Sequence, residues 1–99
     1  MFLILLNYLK PIEEVERATP AHRAYLDTLY AQGKLVCSGP RVPRTGGVIL
    51  ANVDSELEAS KIVADDPFFT DGVAEYDLVR FDVVKHDPRF AAFLEGAAV

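Results

Sequence analysis

An α+β fold, four antiparallel strands with two helices on one face of the sheet, is what this sequence predicts, and three observations carry it. Four short runs rich in Val, Ile, Leu and aromatic residues are spaced along the 99 residues. Two stretches between them show apolar residues three and four apart with helix-capping chemistry at their ends. The order of these segments is β-α-β-β-α-β, with only a short turn between the middle two strands, so that pair forms an antiparallel hairpin. This is the split βαβ arrangement of ferredoxin-like folds.

Each element has its own warrant. Residues 2–9, FLILLNYL, are apolar at nearly every position without alternation, as in a strand buried on both faces. The segment PIEEVERATP at 11–20 reads as a polar linker with room for one helical turn. Thr19 and Pro20 then supply an N-cap and first-turn pair for a helix ending at Gly33. Leu26, Leu29 and Tyr30 form its buried stripe, and His22 continues that stripe toward the N-terminus. KLVCSGPR at 34–41 is the second strand, PRTGG a turn, and GVILANV at 47–53 the third strand. The second helix opens at Ser55 with Glu58 three residues on, a capping box, and stops before Pro67. Proline disfavours helical geometry in the residue before it, so Asp66 is expected to be extended and turned out of the helix. The last strand is AEYDLVRFDVV at 74–84, with Val79, Phe81 and Val83 on an apolar face and Tyr76, Leu78, Arg80 and Asp82 on a mixed one.

Two helices cover one sheet face, yet the first strand is apolar on both. A second copy of the chain is the simplest cover, and two such sheets packed face to face make a dimeric α+β barrel. The tail from residue 85, with Phe90 and Phe93, has a short amphipathic pattern suited to packing across that boundary.

Composition narrows the function classes. Hydrophobic residues make up 51% and charged residues 25%, with a net charge of -5. These are globular values, and the length suits a single domain spanning 1–99. The ten basic residues are scattered, which disfavours nucleic acid as a partner. No apolar run reaches the roughly 20 residues of a membrane span. The opening MFLILL lacks the basic flank and cleavage site of a secretion signal, so a cytoplasmic location is the expectation. The single cysteine, Cys37, cannot form an internal disulfide, and no Cys/His set has metal-ligand spacing; no metal and no cofactor is implied.

The residues that invite chemistry are few. His22, placed near a helix N-terminus, would be held neutral there and so fit to act as a base. In DDPFF at 65–69, Asp65 and Asp66 sit at a helix C-terminus, where negative charge is disfavoured unless a donor meets it. A carboxylate on one ring nitrogen of a histidine fixes the tautomer and raises the basicity of the other, which is why an Asp/His pair transfers protons. Straight helices would keep the two apart unless the segment from Asp66 to Gly72 loops back or the helices cross. The alternative is that Asp66-Pro67 is only a helix stop and His22 a polar cap. Ser38, Gly39 and Pro40 end the second strand, where Gly39 would admit a ligand to the backbone and Ser38 would donate a hydrogen bond; the alternative is a bulge entering a turn. Cys37 lacks an adjacent base and reads as core, His86 as a surface turn, and Arg41 and Arg44 as solvated or as holding an anion.

AHRAYLDTLYAQGKLVCSGP at 21–40, followed by ADDPFFTDGV at 64–73, resembles the YCII-related family of small dimeric α+β barrel proteins. The resemblance implies that His22 and Asp66 form an active-site dyad in one pocket, with Asp65 given no role. It implies elimination or lyase-type chemistry, such as loss of halide from a hydroxylated ring. Together with the residues, this gives the expectation of a small homodimeric, cofactor-free enzyme in which His22 is the general base or acid, Asp66 orients it, and Ser38, Gly39 and Pro40 bind a small polar or aromatic substrate. The rival readings are a non-catalytic small-ligand binding module and a dimeric interaction module.

Overall fold

A computed structural model of the chain describes residues 1–97. Four strands form one antiparallel sheet: β1 (Phe2–Tyr8), β2 (Leu35–Pro40), β3 (Gly46–Ala51) and β4 (Ala74–Arg80), in the spatial order β2-β3-β1-β4. The helices are α1 (Ile12–Ala31), between β1 and β2, and α2 (Glu56–Ala64) with the short α3 (Pro67–Thr70), between β3 and β4. This is the ferredoxin-like α+β arrangement. A 3-10 turn at Pro88–Phe90 and a helix α4 (Ala91–Ala97) follow. Among the described residues no helix is long and apolar enough to cross a membrane.

The side-chain period of two sorts the sheet into faces. Phe2, Ile4 and Leu6 of β1, Ile49 and Ala51 of β3, and Leu35 of β2 are buried on the helix side. They pack against Val15, Ala18, Leu26 and Leu29 of α1, Ala59 and Ile62 of α2, and Phe68 of α3. The register pairs Leu6 with Tyr76 and Ile4 with Leu78, so the mixed face of β4 is the one that joins this core. Val79 and Phe81 point the other way and stay exposed, and the strand ends at Arg80, short of the expected 84. On that opposite face Leu3, Leu5, Val48 and Leu50 are partly buried.

The largest departure from expectation is at α1. The segment read as a linker is helical from Ile12, with Pro11 before it and Glu13 and Glu14 complementing the dipole of its first turn. The buried stripe starts at Val15 and Ala18, about two turns and one turn before His22, and these two apolar positions extend the helix backward. Thr19 and Pro20 are therefore internal. Thr19 Oγ1 donates to the Val15 carbonyl at 2.8 Å, local bonding that a threonine makes inside a helix as readily as at its start. Tyr30, expected in the buried stripe, is 36% exposed.

Glycine is demanded at one close approach. Gly46 pairs with Asn7, and any Cβ there would overlap the Leu6 carbonyl oxygen. The tail folds onto its own chain, with Asn52 Nδ2 donating to the Phe93 carbonyl at 3.0 Å.

Candidate active site

Asp66 lies between α2 and α3. Its backbone is extended (φ -74°, ψ 127°), as a residue preceding proline should be. The α2 capping box is present at the other end, where Ser55 Oγ accepts from the Glu58 amide at 3.2 Å. What the sequence presented as an acid stranded at a helix C-terminus is the N-cap of the next helix: Oδ1 accepts the Phe68 amide at 2.9 Å, with Pro67 in the first turn. The charge thus faces a favourable helix end. Asp65 is the C-cap of α2 and remains exposed.

α3 turns the chain back against α1 and carries Asp66 to His22. His22 Nδ1 is 2.7 Å from Asp66 Oδ1, both groups buried. His22 sits mid-way along α1, not near its N-terminus as expected. Its surroundings orient it. The imidazole stacks on Phe68 with centroids 3.8 Å apart and planes 4° from parallel, and Tyr8 meets Phe68 edge-on. Asp66 has no exposed surface, and its second oxygen, Oδ2, accepts the Tyr76 hydroxyl at 2.6 Å. Every partner of the carboxylate can donate, so Nδ1 carries the hydrogen toward Asp66. Nε2 makes no hydrogen bond with the described residues and is not among their buried unpaired atoms, so it reaches solvent-accessible space.

His22 also lines an open cavity of about 280 Å³ between α1 and the β2-β3 edge. His22, Ser38, Gly39 and Pro40 line it together, over an apolar floor of Leu6, Leu26, Ile49 and Phe68. Ser38 Oγ hydrogen-bonds Tyr30 Oη at 2.6 Å. A Cβ on Gly39 would meet no atom within 4 Å, so no packing within the chain requires glycine there. Arg44 lines the cavity, whereas Arg41 is turned to Asn7 Oδ1 at 2.7 Å. Cys37 is exposed and stands opposite Leu50, on the sheet face away from the helices, which corrects its reading as core. His86 is in an exposed turn, bonded to the Asp87 carbonyl.

Three neighbours escaped the sequence reading. Phe68 stands two residues after Asp66 in the same motif. Tyr76 alternates with Ala74 and Leu78 on the core face of β4, a polar-tipped ring where an aliphatic residue would serve packing equally. Arg23 is exposed on α1 beside His22 and lines the cavity. Burial and then the Asp66 charge push the Tyr76 phenol far above the usual tyrosine range, so it stays a donor. Tyr25, whose hydroxyl donates to the Ile62 carbonyl and ties α1 to α2, is pushed up to about 12 by burial and then by the charges of Asp65 and Asp66.

A ferredoxin-like sheet with a histidine, a buried carboxylate and an open cavity on its helical side defines a class of small α+β proteins. Within it, the chain belongs to the YCII-related family: the model of the YCII-related domain matches residues 1–82. Comparison with curated protein sequences gives no match. Among solved structures, 5-chloro-2-hydroxyhydroquinone dehydrochlorinase from Burkholderia phenoliruptrix, in complex with 2,5-dihydroxybenzoquinone, is similar in fold. The TM-score is 0.69 at 24% sequence identity, over 90% of this chain and 98% of that one.

Proposed function

We propose that this single-domain protein is a small-molecule acid-base enzyme of the elimination type, in which His22 is the proton-transferring group and Asp66 orients it. The observation that carries this reading is the His22 ring, bridged through Nδ1 to a fully buried carboxylate while Nε2 is left toward a cavity. Asp66 holds the tautomer with the lone pair on Nε2 and stabilises the imidazolium formed when that nitrogen takes a proton. In an elimination, Nε2 takes the proton from the substrate, the leaving group departs with the bonding pair of the bond that breaks, and a double bond forms. No electrons are gained or lost overall. The dehydrochlorinase similar in fold is named for chemistry of this class, which supports the assignment. Ser38, Gly39 and Pro40 form the wall of β2 against which a small ring would rest, with Phe68 and Leu26 excluding water from the floor.

The reading includes a homodimer. Leu3, Leu5, Val48 and Leu50 form an apolar row on the sheet face away from the helices, with Val79 and Phe81 exposed beside it, and a second sheet would bury them.

The test is halide release from a panel of chlorinated hydroquinones by the wild-type chain and by His22→Ala. General acid-base catalysis contributes roughly 10²–10⁴ in rate, and the variant should lose that much. Equal turnover by the two proteins would remove His22 from the mechanism. Saturable binding of the panel with no turnover would instead favour a binding module.

A further inference from the structure

Resting on the reading that this cavity is the working site, we propose that its ligand is a small organic oxyanion, a ring carrying carboxylate or enolate oxygens, gripped by the guanidinium groups of Arg23 and Arg44. The chain has 15 acidic against ten basic residues, yet the cavity lining contains two arginines and no aspartate or glutamate. Apart from His22, the other polar side chains of the lining, Tyr8, Thr19 and Ser38, are uncharged hydroxyls. A concave surface that carries positive charge on an acidic protein concentrates anions where the remaining surface repels them.

The two arginines come from different elements and line the cavity together with His22. Arg23 follows it on α1, and Thr19, one turn earlier on the same helix, lines the cavity as well. Arg44 reaches in from the β2-β3 connection. Arg23 has no ion pair among the described residues. Arg44 faces Glu16 at 3.7 Å, an exposed and loose pairing that a ligand oxyanion can displace, and Glu16 does not line the cavity. A guanidinium matches the two oxygens of a carboxylate or of adjacent enolate and carbonyl groups in a paired geometry, which a lysine could not. The cavity, about 280 Å³, lies just below the roughly 300–1,000 Å³ of typical ligand sites, which suits a single small ring. Its apolar floor suits the ring, while the charged rim suits the oxygens. The placement also serves the chemistry: when Nε2 removes a proton beside a carbonyl, negative charge develops on the substrate oxygen, and a preorganised cation stabilises that charge.

Nuclear magnetic resonance titration of the full chain with matched probes tests this. The pairs are benzoate against benzamide and 2,5-dihydroxybenzoquinone, ionised at neutral pH, against hydroquinone. In each pair the anion should bind about tenfold or more tightly, the gain expected for one charge-assisted contact. It should shift the amides of Arg23, Ser38 and Gly39 and weaken as salt is raised. Arg23→Met and Arg44→Met should each lose most of the preference while keeping the native amide spectrum, since both side chains lie at the surface. Equal affinity within both pairs, absence of binding by either anion, or an undiminished preference in the double variant would each overturn the proposal. Turnover tells the two readings apart. Anion preference without turnover leaves this proposal standing and sinks the catalytic one, whereas turnover of neutral rings without anion preference does the reverse.

Discussion

Asp66→Ala is the perturbation whose outcome the structure constrains most closely. The carboxylate has no exposed surface and accepts three hydrogen bonds, from His22 Nδ1 at 2.7 Å, the Phe68 amide at 2.9 Å and the Tyr76 hydroxyl at 2.6 Å. Alanine would leave three donors turned toward a methyl group. Each orphaned buried donor costs about 1–3 kcal/mol, and the lost N-cap by itself about 0.5–2 kcal/mol. The three bonds share one acceptor, so their costs do not add in full, and the expected loss of unfolding free energy is about 3–5 kcal/mol. That is a large share of the roughly 5–15 kcal/mol that holds a domain folded. The chain carries its own control. Asp87 precedes Pro88 and caps the Arg89 amide at 2.8 Å, as Asp66 precedes Pro67 and caps Phe68, but Asp87 is exposed and its other partner is the Arg89 side chain. Asp87→Ala removes only an exposed cap and should cost no more than the roughly 0.5–2 kcal/mol of a lost N-cap. The assay is equilibrium urea unfolding of the three proteins at one protein concentration, followed by circular dichroism. If Asp66→Ala costs no more than Asp87→Ala, Asp66 is only a helix cap, and the chain from Tyr76 through Asp66 to His22 does not hold the site together.

Two further outcomes follow from the same contacts. Tyr25 and Tyr76 both have phenols raised above the ordinary value, chiefly by burial, whereas unfolded tyrosines ionise near pH ~10. Above that pH the unfolded chain gives up protons the folded chain retains, so stability is intact below pH ~10 and falls as pH climbs toward and beyond 12. Tyrosinate absorbance should therefore rise early for only part of the four tyrosines, and Tyr76→Phe should flatten the alkaline loss; full ionisation near pH ~10 in a folded chain would contradict this. Gly46→Ala drives a methyl into the Leu6 carbonyl and should cost about 2–3 kcal/mol by forcing β3 away from β1. Gly39→Ala, with open space around its Cβ, should be silent in the same urea unfolding assay, and equal losses at the two glycines would argue against the β1-β3 register.

The order of strands and helices was legible in the chain because each depends on local patterns: continuous apolar residues in β1, the Ser55 and Glu58 capping box of α2, and the extended backbone that Pro67 imposes on Asp66. These are decided within a few residues of one another. The start of α1 was not legible, since a proline inside a helix looks the same in sequence as one at its first turn. Burial of Val15 and Ala18 against the sheet outweighs the hydrogen bond that Pro20 cannot donate. The faces of β4 depended likewise on which side the helices covered, and its register with β1 placed Tyr76 and Leu78 inward. Of the site, DDPFF and His22 stood out as chemistry-bearing residues, but their meeting required α3 to fold back along α1. Tyr76 is ten residues from Asp66 and Arg44 is far from Arg23 in the chain, so neither pairing leaves a periodic trace. The sequence by itself determined which side chains could accept, donate or carry charge and the order of strands and helices, though not the start of α1 or the end of β4. Only the tertiary structure decided which of them share a cavity, because long-range packing of the helices against one sheet face sets those distances, and no local rule encodes them.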